Sequence, residues 1–516
     1  MYAKTAVLVV IIILLVAASN FNVIEFILII ISTLMLKFLM DASPKRHIIG
    51  GRQSTLSNAT DLEHTLKKIS NNYPHFKKYR ELLLKNADKK NNVMITLDDI
   101  KDKMPYTYKN QPIIRGNHIG QRKLLLSEVQ FLTQVDSGIK YCIYAGSAPG
   151  HKTHFLSKLF PDTKFILIDP NKFNLVIVDD KTTSANNVLF VNKYHRDEPH
   201  KDIVHIYSEY PTKSNEFVNK KLSDMNDAEK KSVIDLITNS KYKIFIIEDF
   251  MDDKYAKFLK QLGKTTFVSD IRSNTSKDDS HPLDIDIYWN TSMMYNWMNI
   301  LKPELSMLKI RMPFFNKKID IGMYEAEFKV SKKYGIDFIN DYNNFKFKMS
   351  KSIFYLQAWS RQLSTELRMY IKKNDINNIV NYDIKEIENK MFYFNVIDRT
   401  LHMHKNNNAS KHYNFCYCND CALENDIWTQ YFKKTKNKYI DDILSAIKIT
   451  NIITNRPLHK SHKNTIWKSV NNVSDLIRLY TYNLTYKQRV YTFKNQKGET
   501  GKGLEGSRKY DNKHQA

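Results

Sequence analysis

The chain has 516 residues, with 79 Lys+Arg against 54 Asp+Glu and a formal net charge of +25. That length holds one large domain plus additions, and four cysteines exclude a disulfide-knit scaffold and suit a reducing compartment. The charge favours a polyanionic partner, nucleic acid or an anionic membrane, although solubility and a Lys- and Asn-rich composition also produce it.

The N-terminus is the most apolar part. Thr5 to Ala18 is almost wholly apolar, and Val23 to Met40 is interrupted only by Glu25, Ser32, Thr33 and Lys37. Together they exceed one membrane span of about 20 residues. Residues 1–42 therefore read as a membrane anchor. It is either a hairpin of two short spans or one span behind a signal-like segment ending near Ala17-Ala18-Ser19. Lys37, Lys45 and Arg46 favour a cytoplasmic position for the remainder of the chain. Residues 43–115 form a polar, basic lead-in with amphipathic patches at Leu62 to Ile69 and Tyr79 to Leu84.

Gly116 to Val135 opens the main domain. Leu124, Leu125, Val129 and Leu132 predict a helix that delivers Gln121 and Lys123 just ahead of the next motif. That motif, Lys140 to Asp169, reads as strand (Tyr141 to Tyr144), small-residue turn (Gly146 to Gly150), helix (His151 to Leu159), strand (Phe165 to Ile168) and acid. Two glycines within five positions matter in a chain with only 14. Small residues let a backbone approach a ligand closely. An acid about 20 residues beyond such a turn can hold ribose hydroxyls at the carboxyl end of a parallel sheet.

Further strands are predicted at Leu175 to Val178, Val188 to Val191, Ile203 to Tyr207, Tyr242 to Ile247, Thr265 to Ser269 and Leu305 to Ile310. Helices are predicted at Asp227 to Ile237, Tyr255 to Leu262 and Ser292 to Leu301. The alternation predicts an α/β sheet over residues 116–375, with a helical extension at 436–493 and a disordered basic tail at 494–516.

YAGSAPG, preceded by GQRKLLLSEVQFL and followed by VSDIRSN and LKIRMPF, resembles the poxvirus-type cap-specific mRNA (nucleoside-2'-O-)-methyltransferases, which also serve as the small subunit of poly(A) polymerase. Their wider kin are the FtsJ-like ribose methyltransferases. The resemblance runs from about Asn117 to Phe432, broken by extra sequence at about 171–240 and continuing through residues 376–435. It implies a Rossmann-like sheet with helices on both faces, binding S-adenosylmethionine and methylating a ribose 2'-hydroxyl of capped mRNA.

By motif, the implied catalytic set is Lys123, Asp270, Lys309 and Glu366, with Lys309 as base. A ribose hydroxyl must shed its proton while attacking, and a lysine accepts it only if burial or nearby cations lower its pKa. The implied cofactor residues are Gln121, Gly146, Ala148, Gly150, Asp169, Phe250, Met251 and Asp270. Pro170 and Asn171 depart from the family's pattern beside the ribose. Cap recognition maps to Phe314 and Glu388, with Asn316 in place of a second acid and Tyr106 or Tyr108 as the other aromatic. Stacking and cation–π energy would hold the methylated guanine.

His412, Cys416, Cys418 and Cys421, with His402 and His404 nearby, offer a thiolate-rich group that either binds zinc or carries free thiols. The expectation is a viral enzyme tethered to a membrane, facing the cytoplasm of an infected cell or enclosed in a virion. Two alternatives stand beside it: an RNA-binding processivity subunit of a poly(A) polymerase with little methylation activity, and a ribose methyltransferase acting on uncapped RNA.

Overall fold

The computed structural model describes residues 93–105, 120–178, 191–195, 198–208, 220–272, 284–311, 346–361, 364–399, 419–435 and 439–454. The N-terminal apolar stretch, most of the lead-in, Tyr106, Tyr108, Phe314, Asn316, His402, His404, His412, Cys416, Cys418 and the tail lie outside them. Among the described residues no helix is long and apolar enough to cross a membrane.

The core is an eight-stranded sheet. In chain order its strands are β1 (Tyr141–Ala145), β2 (Lys164–Ile168), β5 (Ile203–Tyr207), β6 (Ile244–Ile247), β7 (Thr265–Ser269), β8 (Leu305–Arg311), β10 (Ile353–Tyr355) and β11 (Glu366–Lys372). In space they run β10-β11-β8-β7-β1-β2-β6-β5. Pairing is parallel from β5 to β8, and β11 is antiparallel to both β8 and β10. Strands β1, β2 and β6 are nearly uninterrupted apolar runs, IFII in β6 for example, as strands covered on both faces should be. Helix α2 (Thr153–Leu159) lies against β2 and β6. Helix α5 (Asp284–Leu301) lies against β7 and β8 and packs on α4 (Asp253–Leu259). This is a Rossmann-like arrangement.

From β1 the chain moves to β2 on one side and later returns to β7 on the other. The carboxyl ends of β1 and β7 thus mark a topological switch point, where open α/β sheets bind ligands. The turn Gly146 to Gly150 leads out of β1 there.

The segment read as an insertion is woven into this sheet. It supplies the edge strand β5 and helix α3 (Asp227–Asn239), whose start is set by an Asn226/Glu229 capping box. It also supplies a separate pair, β3 (Val176–Val178) with β4 (Val191–Lys193). The pair is tied to the glycine turn, because Asn174 N–H donates to Pro149 O at 2.8 Å and Val176 N–H to His151 O at 3.0 Å. Two further strands, β9 (Lys346–Ser350) and β12 (Ile379–Asp383), pair antiparallel. Residues 384–393 form α6 (Ile384–Tyr393).

Helix α1 (Gly120–Thr133) packs against α7 (Asn419–Lys434) and α8 (Ile443–Ile453). A buried polar cluster joins them. Arg122 and Glu424, both fully buried, form an ion pair, and Arg122 Nη1 donates to Asn451 Oδ1 at 2.5 Å. Glu424 Oε2 also accepts Trp359 Nε1–H at 2.7 Å. Trp359 N–H and Arg399 Nε–H donate to Asp420 at 3.0 and 2.8 Å. This holds Trp359 at φ 61°, a left-handed conformation that costs a non-glycine residue roughly 1–2 kcal/mol.

Candidate active site

Four elements deliver the four residues expected to act together. Lys123 lies in the first turns of α1, and Asp270 directly follows β7. Lys309 is in β8, and Glu366 opens β11. Ser269 pairs with Leu308, so Asp270 emerges beside Lys309. In the antiparallel register Arg368 lies directly opposite Lys309, and Glu366 stands two residues from Arg368 on the same face.

The side chains converge as two ion pairs bridged by a guanidinium. Lys309 Nζ is 2.5 Å from Asp270 Oδ1, and Lys123 Nζ is 2.6 Å from Glu366 Oε1. Arg368 reaches both acids, with Nη1 3.4 Å from Asp270 and Nη2 3.5 Å from Glu366. Arg272 Nη2 stands 4.0 Å from Glu366. The Lys309 side chain is 14 % exposed and that of Arg368 only 2 %.

Burial pushes the Lys309 amine down to about 8, against the opposing pull of Asp270 and Glu366. Burial also tends to raise Asp270, but Lys309 and Arg368 outweigh it and hold the carboxyl at about 2. Glu366 stays well below the usual range for the same reason, its burial overcome by Lys123, Lys309, Arg368 and Arg272. Near neutral pH the site therefore holds two fixed carboxylates, with Lys309 beside them as an amine able to take and release a proton.

Sequence motifs do not single out Arg368 or Arg272. Each sits two positions past an acid that they do mark, in E-L-R and D-I-R. For Glu366 and Arg368, both in β11, a strand places residues two apart on one face, so period-two spacing was the available signal; Arg272 lies beyond the end of β7 and had none.

The residues assigned to a nucleoside cofactor divide. Asp169, 8 % exposed, accepts Ala148 N–H at 3.2 Å and Asn171 N–H and Nδ2–H at 2.9 Å each. It braces the turn, and its two oxygens retain lone pairs for ribose hydroxyls. Phe250 is 72 % exposed just beyond β6, a free aromatic face, while Met251 is buried. Gln121 is exposed and Ala148 half-buried. Gly150 packs on Phe173, where an added Cβ would lie 3.0 Å from the ring, so its role is in the turn. Glu388 is buried in α6 and pairs with Lys385 at 2.8 Å, not with the four-residue cluster. Cys421 is buried in α7.

Gly146 has φ 76°, and a Cβ there would sit 2.7 Å from Ile271 N and 2.8 Å from Asp270 C. Those are backbone atoms of the loop carrying Asp270, so they cannot swing aside. Gly263 has a similar φ of 79° with open space around it. Gly263→Ala is expected to lower stability by about 1–2 kcal/mol from backbone strain alone, and Gly146→Ala by about 2–4 kcal/mol. Urea unfolding of the two variants checks this, and equal losses would show that the close approach at Gly146 carries no cost.

A family model described as poly A polymerase regulatory subunit matches residues 89–239 of the chain. The match takes in Lys123, the glycine turn and Asp169 and ends before Asp270, Lys309 and Glu366. No curated protein matches the chain.

Proposed function

We propose that the chain works on mRNA as a regulatory subunit of the poly(A) polymerase type, bound to a polymerase catalytic subunit. The family match over residues 89–239 is the observation that carries this reading. The net charge of +25 suits a subunit that holds RNA beside a polymerase. Residues 1–42 would tether the complex to a membrane. Adding the full chain to its cognate catalytic subunit should lengthen the tails made per binding event; unchanged tail length at saturating chain would overturn the reading.

A second activity is favoured by the paired arrangement of Lys309 with Asp270 and Lys123 with Glu366. We infer that this centre methylates a ribose 2'-hydroxyl near an mRNA cap. S-Adenosylmethionine, when bound, supplies an electrophilic methyl. The chain offers it spare acceptors on Asp169 and an aromatic face at Phe250, both of which suit a nucleoside. Lys309 Nζ takes the hydroxyl proton as the oxygen attacks, and Asp270 orients the amine and balances the resulting ammonium. Lys123, held by Glu366, stabilises charge on the attacking oxygen. Aligning the hydroxyl for in-line attack supplies much of the rate. Incubation with methyl-labelled S-adenosylmethionine should label capped RNA. Equal label in uncapped RNA would point to a general ribose methyltransferase, and no label would leave the regulatory role alone.

A further inference from the structure

Residues of the segment between β2 and β6 line a half-open pocket of about 430 Å³ that neither activity uses. Ile177, Tyr194 and Pro199 give it apolar walls. Lys193, His195 and His200 bring nitrogen donors to it, and Glu198 brings a carboxylate.

Beside it, His154, His200 and Asp202 each bring one ligand atom to within 4.8 Å of the others, as a metal site would. Their hydrogen bonds oppose that use. His154 Nδ1 accepts Val178 N–H at 3.0 Å, and His200 Nδ1 accepts Asp202 N–H at 3.1 Å. A neutral imidazole that accepts at Nδ1 carries its proton at Nε2. Both rings would have to become imidazolate to ligate a metal there. Asp202 Oδ2 already takes His154 Nε2–H at 3.2 Å and the Lys158 ammonium at 2.7 Å. Burial holds His154 and His200 below the usual imidazole range, which keeps both neutral. The cluster therefore fixes the wall and leaves His200 Nε2–H as a donor.

The cavity falls in the size range of small-ligand sites and is large enough for one nucleotide. Its donors suit a phosphate, its rings suit a base, and the chain as a whole is strongly cationic. Lys193 is also an electrostatic neighbour of His151, the residue following the glycine turn. We propose that this cavity binds one nucleotide of single-stranded RNA. Lys193 Nζ and His200 Nε2–H hold a phosphate, the His195 ring stacks on the base, and Glu198 accepts a hydrogen bond from the base. The site rests on RNA being the partner and is independent of methyl transfer.

The test uses the full chain with Lys193→Ala and His195→Ala combined, two exposed positions whose loss should leave the fold intact. Fluorescence anisotropy with a short oligoadenylate should show affinity falling about tenfold. Melting temperature and S-adenosylmethionine affinity should not change, which separates this result from failure of the methyl-transfer reading. An oligoadenylate carrying one 4-thiouridine should cross-link within residues 191–200 of the unaltered chain. Wild-type RNA affinity in the double variant, or cross-links confined to other peptides, would overturn the proposal. Competition with 5'-AMP distinguishes the source: displacement by AMP alongside unchanged RNA affinity in the variant would make this a free-nucleotide site and refute the RNA assignment.

Discussion

Lys309→Ala is expected to lower methyl transfer to capped RNA by about 10²–10⁴-fold, the range for losing a positioned general base. Binding of S-adenosylmethionine, followed by calorimetry, should stay within about twofold, because a transition-state role leaves ground-state binding largely alone. In the unaltered chain the amine sits at about 8. A base must be unprotonated, so the rate should climb tenfold per pH unit below that value and level off above it. Asp270→Asn sharpens the test. It removes a carboxylate that raises the Lys309 pKa, so the rise should move to lower pH even as the plateau drops. A profile unmoved by Asp270→Asn, or turnover surviving Lys309→Ala, would end the base assignment.

Asp270 also links the centre to acid stability. Its folded pKa of about 2 lies below the ordinary 3.8. The stabilisation it gives is complete above the ordinary value and is lost as pH falls from there toward 2. Equilibrium unfolding from pH 6 to pH 2 should show a loss that Asp270→Asn lacks.

Glu424→Ala should cost about 3–5 kcal/mol of folding free energy, the effect of stranding one member of a buried ion pair. Its two oxygens serve Arg122 and Trp359 in a region closed to water, so neither partner can turn to solvent. Arg122 immediately precedes Lys123, so the same variant should also weaken methyl transfer before it unfolds. Urea unfolding monitored by tryptophan fluorescence measures the first effect, and activity at low temperature measures the second. A loss under about 1 kcal/mol would mean that water reaches the pair, as it does in surface salt bridges.

The sheet was legible where its strands are buried on both faces. Tyr141–Ala145 is an apolar run, Thr265–Ser269 and Leu305–Arg311 carry β-branched or aliphatic residues between polar ones, and each lies within a residue of its predicted limits. The separate antiparallel pair of β9 and β12 was not legible. Ile379–Asp383 alternates between exposed and half-buried positions, so it lacks the apolar face that marks a strand. Ile203–Tyr207 was visible as a strand, but nothing local says that it pairs with β6 instead of β2. In the candidate centre, motif matching supplied Lys123, Asp270, Lys309 and Glu366. Arg368 escaped because a lone arginine in a strand resembles a solvated charge until its register opposite Lys309 is known. The packing of Gly150 on Phe173 was not legible either, because the two meet only once the chain after β2 folds back on the turn.

The position of β11 has a consequence for synthesis. It is among the last strands of the sheet to be made, yet it lies between β8 and β10. While the ribosome translates the stretch between Arg311 and Glu366, the outer edge of β8 waits without its native partner. An unpaired, apolar strand edge of that kind is where nascent chains stick to one another. Premature termination before Lys372 should therefore give insoluble product rather than a smaller working protein, and chaperone demand should peak over the same window of elongation.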